Sequence, residues 1–172
     1  MGDTRDDHEP EDCPLPTRSE APVDEIMTDL FASATTVAVV GASPRDHRTS
    51  HHIATWLMDH TPYEVFLVNP TAGTEEIRGH GFYSTIAELP VAPDIVDVFR
   101  RAEHTPGIAT AATVAGASTL WLQLGIMNAE AESIATAGGL TVVQNRCIKV
   151  EYARLRDRID RARPAALAER AS

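Results

Sequence analysis

The residues best placed for chemistry are Gly41, Ala42 and Ser43, which follow the apolar run Thr36–Val40 and precede a helical pattern at Thr49–Asp59. Valine and alanine without polar alternation predict a strand that is buried on both faces. Gly41 permits a tight turn, and the small residues after it let a ligand approach the backbone. The first N–H groups of a helix lack partners and carry its positive dipole end, so this pattern is typical of a phosphate or pyrophosphate site.

Two other interpretations of this turn remain open. A glycine after a buried strand also occurs in α/β proteins without a ligand at that place, because βα turns are tight. The dinucleotide pattern G-x-G-x-x-G is absent, since Ser43 and Asp46 occupy the positions of its later glycines. This absence disfavours ordinary NAD or FAD binding but leaves a phosphate-bearing ligand open.

Histidines and one cysteine beside the predicted turn are the other candidates for chemistry. His47 and His51 are four residues apart, a spacing that binds metal on a formed helix. His47 is predicted to precede the helix and no further ligand motif completes the set, so we expect no metal site. Cys147 begins the terminal helix beside Arg146, where a redox thiol and a small buried cysteine are both open interpretations.

Composition limits the class of protein. The chain has 172 residues and a hydrophobic fraction of 43%, enough for one domain with a core. Its net charge of −10 comes mostly from residues 1–25, which contain nine acids and two arginines. The absence of a basic stripe disfavours nucleic acid as a partner. No apolar run reaches the ~20 residues of a membrane helix, and no signal-peptide core is visible, so we expect a cytoplasmic protein.

Three segments are predicted along the chain. Residues 1–22 are acidic, contain four prolines and have little apolar content, and we expect a disordered tail there. Residues 23–164 form the predicted domain, and residues 165–172 are expected to be a flexible C-terminus. The terminal helix has a row of arginines that favours either a solvated surface or an interface with a second copy or a partner subunit: Arg154, Arg156, Arg158, Arg161 and Arg163.

Five short apolar segments alternate with helical patterns in the predicted domain. These predicted strands are Thr36–Val40, Glu64–Val68, Ile95–Phe99, Thr119–Leu122 and Leu140–Val143. The segment 69–83 is interrupted by glycines and is expected to be irregular. The alternation predicts an α/β fold with a Rossmann-like, doubly wound, five-stranded parallel sheet of order 3-2-1-4-5. Ligands of such sheets bind at the carboxyl ends of the strands, where small and polar residues collect here.

Five motifs in this order resemble the small stand-alone bacterial CoA-binding proteins, which are similar to the CoA-binding domain of the succinyl-CoA synthetase α subunit. The resemblance extends over about Thr35–Leu155. Its motifs are Val37–Ser43, Val68–Pro70, Val96–Arg100, Trp121–Ile126 and Asn145–Cys147. It implies the Rossmann-like fold and coenzyme A or acyl-CoA as the ligand.

The resemblance also implies a role for each matched residue. Backbone N–H groups of Gly41, Ala42 and Ser43 would contact the pyrophosphate, with Arg48 and Ser50 adding contacts from the start of the helix. The remaining residues are implied by region: Asn69 and Pro70 on the adenosine side, Val98, Phe99 and Arg100 at the adenine and ribose, and Gln123, Gly125 and Ile126 along the pantetheine arm.

One departure from the family concerns the 3′-phosphate. Several relatives have a lysine directly after the Asn–Pro pair, where this chain has Thr71. Recognition of the 3′-phosphate therefore depends on whether Arg45, Arg48 or Arg100 takes the place of that lysine.

No catalytic residue is predicted, and non-catalytic binding of CoA or acyl-CoA is favoured. His104 lies after the third strand, but no nucleophile or orienting acid can be assigned to it. The chain is too short to hold the second domain and ATP-grasp partner of a succinyl-CoA-type synthetase. A component of an acyl-CoA ligase or transferase system that needs a partner chain, and a dinucleotide-binding regulator or oxidoreductase, remain as alternatives.

Overall fold

Seven strands form one mixed sheet in the computed structural model, which describes residues 21–172. The strands are β1 (Thr36–Val40), β2 (Glu64–Val68), β3 (Glu76–Ile77), β4 (His80–Tyr83), β5 (Ile95–Val98), β6 (Thr119–Leu122) and β7 (Thr141–Val143). Their order is β3-β4-β2-β1-β5-β6-β7, and within residues 21–172 only the β3–β4 pair is antiparallel. The fold is therefore α/β with a Rossmann-like core.

The predicted count of five strands and the order 3-2-1-4-5 are wrong. The glycine-containing segment expected to be irregular forms the short strands β3 and β4, and β4 pairs in parallel with the outer side of β2. The third predicted strand, β5, therefore lies beside β1 instead of β2. The chain runs outward from β1 through β2 to β4 and then returns to β5 on the other side of β1. This reversal places a switch point between β1 and β5.

Within residues 21–172, five α-helices cover the two faces of the sheet. They are α1 (Ala21–Ser33), α2 (Thr49–His60), α3 (Thr105–Val114), α4 (Ala129–Ala137) and α5 (Ile148–Arg170). Side chains of α1, α2 and α5 share one apolar core with the sheet, and those of α3 and α4 share the other. Along β1, Val37 and Val39 face the first core while Ala38 and Val40 face the second. This two-sided burial confirms the prediction made for the strand.

Helix α5 is tied to α1 by several of its arginines. Arg154 donates to Asp24 at 2.6 Å and to Glu151 at 2.6 Å. Arg163 donates to the carbonyl oxygen of Ala34 at 2.9 Å, near the end of α1. These contacts explain part of the arginine row as helix–helix attachment, while Arg161 stays on the surface.

Of the two predicted terminal segments, the N-terminal tail is only partly within the described residues and the C-terminus is wholly within them. Ala21 and Pro22 belong to α1, and the rest of the predicted tail lies outside residues 21–172. Helix α5 extends through most of the predicted flexible C-terminus to Arg170, whose guanidinium donates to Asp94 at 2.6 Å. No helix among residues 21–172 has the length and apolar character needed to cross a membrane.

Candidate ligand-binding site

The turn after β1 lies at the switch point of the sheet. Gly41 has a φ of +86°, in the left-handed region that favours glycine. Its N–H donates to the carbonyl oxygen of Val68 at 2.9 Å, and the N–H of Phe99 donates to Val40 at 2.8 Å. These two bonds continue the β1–β2 and β1–β5 pairings to the carboxyl ends of the strands. The turn therefore begins at the carboxyl edge of the sheet.

Two side chains that were predicted to bind the ligand hold this turn in place. The Ser50 hydroxyl accepts the Ser43 N–H at 3.1 Å, and the Asn69 amide donates to the carbonyl oxygen of Ala42 at 2.8 Å. The Asn69 Oδ1 in turn accepts the Thr71 N–H at 3.0 Å. The N–H groups of Gly41 and Ser43 are therefore already bonded. Of the three backbone N–H groups predicted to contact the ligand, that of Ala42 alone makes no hydrogen bond within residues 21–172.

The start of α2 supplies further donors beside the turn. The N–H groups of Thr49 and Ser50 have no acceptor in the described part of the chain, as expected for the first turn of a helix. His51 lies next to them, with its Nδ1 3.1 Å from the carbonyl oxygen of Ser43. Since a carbonyl only accepts, the Nδ1 of His51 carries the hydrogen and the Nε2 is left for another partner.

Three arginines around the turn have exposed guanidinium groups. Arg45, Arg48 and Arg100 form no ion pair with any carboxylate in the described residues. By contrast, Arg154 and Arg170 on α5 are paired at 2.6 Å. Unpaired guanidinium groups beside free N–H donors make this edge suited to an anion, and a guanidinium matches phosphate in a bidentate geometry.

A first cavity of about 300 Å³ lies on the α3 side of the turn. Gly41, Pro70 and Arg100 are the predicted site residues that line it. The other lining residues were not predicted as ligand contacts: Val40, Val68, Ser84, Thr85, Ile86, His104, Gly107, Ile108 and Ala111. Of these, His104 was noted in the sequence only because it follows a strand. Ser84 to Ile86 were missed because they follow β4, a strand that was not predicted.

A second cavity of about 450 Å³ lies on the other side of Arg100. It brings together four of the predicted ligand contacts with the cysteine that was considered as a redox thiol: Phe99, Arg100, Gln123, Ile126 and Cys147. Thr49, Arg101 and Leu124 complete the wall, which is mainly apolar. Arg100 therefore borders both cavities.

Val98 and Gly125 are among the predicted contacts that line neither cavity. Val98 is fully buried in the core on the α3 and α4 face of the sheet. Gly125, with a φ of +82°, donates its N–H to the Asn145 Oδ1 at 2.7 Å, which fixes the loop that contains Gln123 and Ile126. Val98 and Gly125 thus shape the site through the backbone.

Asp97 on β5 is a buried carboxyl group that bonds a residue of the second cavity. Its side chain is fully buried, and its Oδ1 accepts a hydrogen bond of 2.7 Å from the Gln123 Nε2. Burial raises the pKa of Asp97 to about 8, which the Gln123 bond only partly offsets. In the sequence, Asp97 is a single acidic residue within an apolar strand, and this pattern alone predicts no role for it.

A larger cavity, of about 530 Å³, lies at the opposite edge of the sheet. Asp94 and Arg170 line it, and they pair with each other at 2.6 Å. Asp94 Oδ2 also accepts the N–H groups of Thr35 and Thr36. Because these charges satisfy one another, we assign the ligand site to the carboxyl edge. No cluster of three or more metal-binding side chains occurs among residues 21–172.

The fold is a Rossmann-like domain whose carboxyl edge presents N–H donors and arginines without carboxylate partners among the described residues. Residues 35–153 match the family model described as CoA binding domain, and the chain belongs to this family. It is 38% identical over 127 residues to the uncharacterized protein YneT of Bacillus subtilis, covering 74% of this chain and 92% of that protein.

Two solved structures illustrate the range of this fold. A hypothetical protein from Pyrococcus horikoshii OT3 is 30% identical, with a TM-score of 0.72 over 90% of this chain and 99% of the other. A dinucleotide-forming acetyl-coenzyme A synthetase from Candidatus Korarchaeum cryptofilum, with phosphate and ADP, is 24% identical, with a TM-score of 0.59 over 69% and 28% of the two chains. The second likeness is one of fold.

Proposed function

We propose that the protein binds coenzyme A or an acyl-CoA non-covalently at the carboxyl edge of its sheet. The observation that carries the proposal is the position of Arg100, which borders a cavity on each side and packs against the Gly41 turn. CoA is an elongated molecule with a central pyrophosphate, an adenosine at one end and a largely apolar pantetheine arm at the other. Membership of the CoA binding domain family supports the same ligand.

Each part of CoA has a suitable surface. The pyrophosphate would accept from the N–H groups of Thr49 and Ser50 and pair with Arg48. The adenosine would occupy the first cavity beside Pro70, and the arm would lie in the second cavity along Gln123.

Calorimetric titration with CoA, acetyl-CoA, dephospho-CoA and NAD tests the proposal. We expect saturable binding of CoA or acetyl-CoA and none of NAD. A loss of affinity with dephospho-CoA would show that an arginine reads the 3′-phosphate although Thr71 stands where relatives have lysine. Binding of NAD alone would favour the dinucleotide alternative, and binding of none of the four would overturn the proposal.

A second candidate is a binding component of an acyl-CoA ligase or transferase system with a partner chain. The fold likeness to the Korarchaeum synthetase favours it, since a comparable domain is about a quarter of that enzyme. Acyl-CoA formation that requires both this chain and a co-purified partner would support this candidate. Binding of CoA without any such dependence would leave the simpler proposal.

A further inference from the structure

Asp97 is an unusual residue for its position in the sheet. Its register neighbours on β1 and β6 are Val39 and Trp121, and both are fully buried. Its Oδ2 is the single fully buried side-chain polar atom without a hydrogen-bond partner in residues 21–172. An apolar residue of similar volume would avoid the cost of burying this group. Packing alone therefore does not account for the carboxyl.

The one side-chain partner of Asp97 is a residue of the second cavity. Gln123 Nε2 donates to the Asp97 Oδ1 at 2.7 Å, while the Gln123 side chain lines the cavity wall. No described residue donates a hydrogen bond to the Gln123 Oε1. The one fully buried side-chain atom without a partner in residues 21–172 is the Asp97 Oδ2, so the Gln123 Oε1 is not fully buried. Its oxygen is therefore accessible from outside the core, and the amide is held with its acceptor toward the cavity.

We propose that Asp97 is a positioning residue that orients the Gln123 amide, so that Oε1 accepts a hydrogen bond from an amide N–H of the ligand's arm. The inference rests on the proposed binding of CoA, whose pantetheine arm contains two amide groups. A site that presents an acceptor selects ligands with an N–H donor, because a mismatched buried polar group stays unpaired.

The substitution Asp97→Leu tests this orientation. A leucine accepts no hydrogen bond, so the Gln123 amide would lose the partner that holds its Oε1 toward the cavity. Two ligands are titrated: CoA, and adenosine 3′,5′-bisphosphate, which lacks the arm. We expect Asp97→Leu to weaken CoA binding roughly 5- to 30-fold and to leave adenosine 3′,5′-bisphosphate within about twofold.

Two further variants separate positioning from general structural damage. Asp97→Asn is the conservative variant, because its Oδ1 can still accept from the Gln123 Nε2, and we expect it to keep the CoA affinity within about twofold; Asp97→Ala provides the test if the leucine variant does not fold. Asp94→Asn is the matched control, because Asp94 is a buried carboxyl at the opposite edge of the sheet. We expect Asp94→Asn to lower stability without changing the ratio of the two affinities.

Three results would overturn the inference. Equal losses for CoA and adenosine 3′,5′-bisphosphate in Asp97→Leu would indicate a structural role. Unchanged affinity for both ligands, with the wild-type protein binding CoA, would refute the positioning role and leave the proposed function intact. Failure of the wild-type protein to bind CoA would refute both.

Discussion

The side chain of Arg100 packs across the bare α-carbon of Gly41. A Cβ added at Gly41 would lie 2.9 Å from the Arg100 Cδ and 2.9 Å from the carbonyl oxygen of Phe99. The absence of a side chain at Gly41 thus allows Arg100 to pass between the two cavities beside the turn after β1. The conformation of the turn at Gly41 and the position of the Arg100 side chain therefore depend on each other.

The substitution Gly41→Ala should therefore damage both stability and binding. A positive φ costs an alanine about 1–2 kcal/mol, and the contacts with Arg100 and Phe99 should add about 1–3 kcal/mol. Gly79→Ala is the control, since Gly79 has a φ of +78° and open space around it. Urea unfolding should give a larger loss for Gly41→Ala than for Gly79→Ala, and only Gly41→Ala should weaken CoA binding. Equal losses in the two variants would contradict the packing of Arg100 on Gly41.

Removing one of the unpaired arginines should weaken binding without loss of stability. A hydrogen bond to a charged group contributes about 1.5–3 kcal/mol, so Arg48→Ala or Arg100→Ala should reduce CoA affinity roughly 10- to 100-fold. Arg161→Ala, on the exposed side of α5, is the matched control and should bind as the wild type does. The affinities are measured by calorimetry at one fixed salt concentration. Equal affinity of all three variants would place the phosphates elsewhere.

Ligand in the second cavity should shield Cys147. This thiol lines the cavity and is partly exposed, so it should react with a disulfide reagent at a measurable rate. In a Cys13→Ser background, saturating acetyl-CoA, which has no free thiol, should slow that reaction at least about threefold, since binding buries most of a ligand pocket's surface. Adenosine 3′,5′-bisphosphate is the control and should give little protection. Protection by this control and not by acetyl-CoA would assign the arm to a different surface.

Asp97 should make stability depend on pH between about 4 and 8. Its pKa is raised to about 8 in the folded protein, whereas an unfolded aspartate titrates near 3.9. The folded state then holds a proton that the unfolded state has released, so the stabilisation is complete below pH ~4 and is lost as the pH rises toward 8.

The comparison with Asp97→Asn isolates this effect. The wild-type free energy of unfolding minus that of the variant should fall by up to about 1.4 kcal/mol per pH unit across this window. Urea titrations at pH 5, 6 and 7 measure the slope. A difference that is constant or rises with pH would show that the folded protein does not hold the proton on Asp97.

Much of the central sheet was predictable because its strands are continuous apolar segments. The bounds of β1, β2 and β6 agree with the prediction, and the Asn128 side chain caps α4 by accepting the Ala131 N–H at 2.9 Å. The strands β3 and β4 have only two and four residues, and β4 contains a glycine, so neither shows an apolar period. Pairing with neighbouring strands, which is a long-range property, makes them strands.

Which predicted residues line a cavity and which bond the turn was less predictable from the sequence. Val98 and Phe99 are adjacent at the end of β5, but alternation sends their side chains to opposite faces, and only Phe99 lines a cavity. Ser50 and Asn69 have ligand-like side chains that bond the turn instead. Type and spacing place a residue at an edge, while its hydrogen-bond partner depends on the packed structure.

A crystal structure of the protein with bound CoA is the most direct test of the central claim. We predict the pyrophosphate within hydrogen-bond distance of the Thr49 and Ser50 N–H groups and next to the guanidinium groups of Arg48 and Arg100. The adenosine should fill the cavity beside Pro70, and the arm should run past Gln123. CoA at the opposite edge, in the cavity lined by Asp94, or a pyrophosphate that contacts neither the Gly41 turn nor these arginines, would contradict the account.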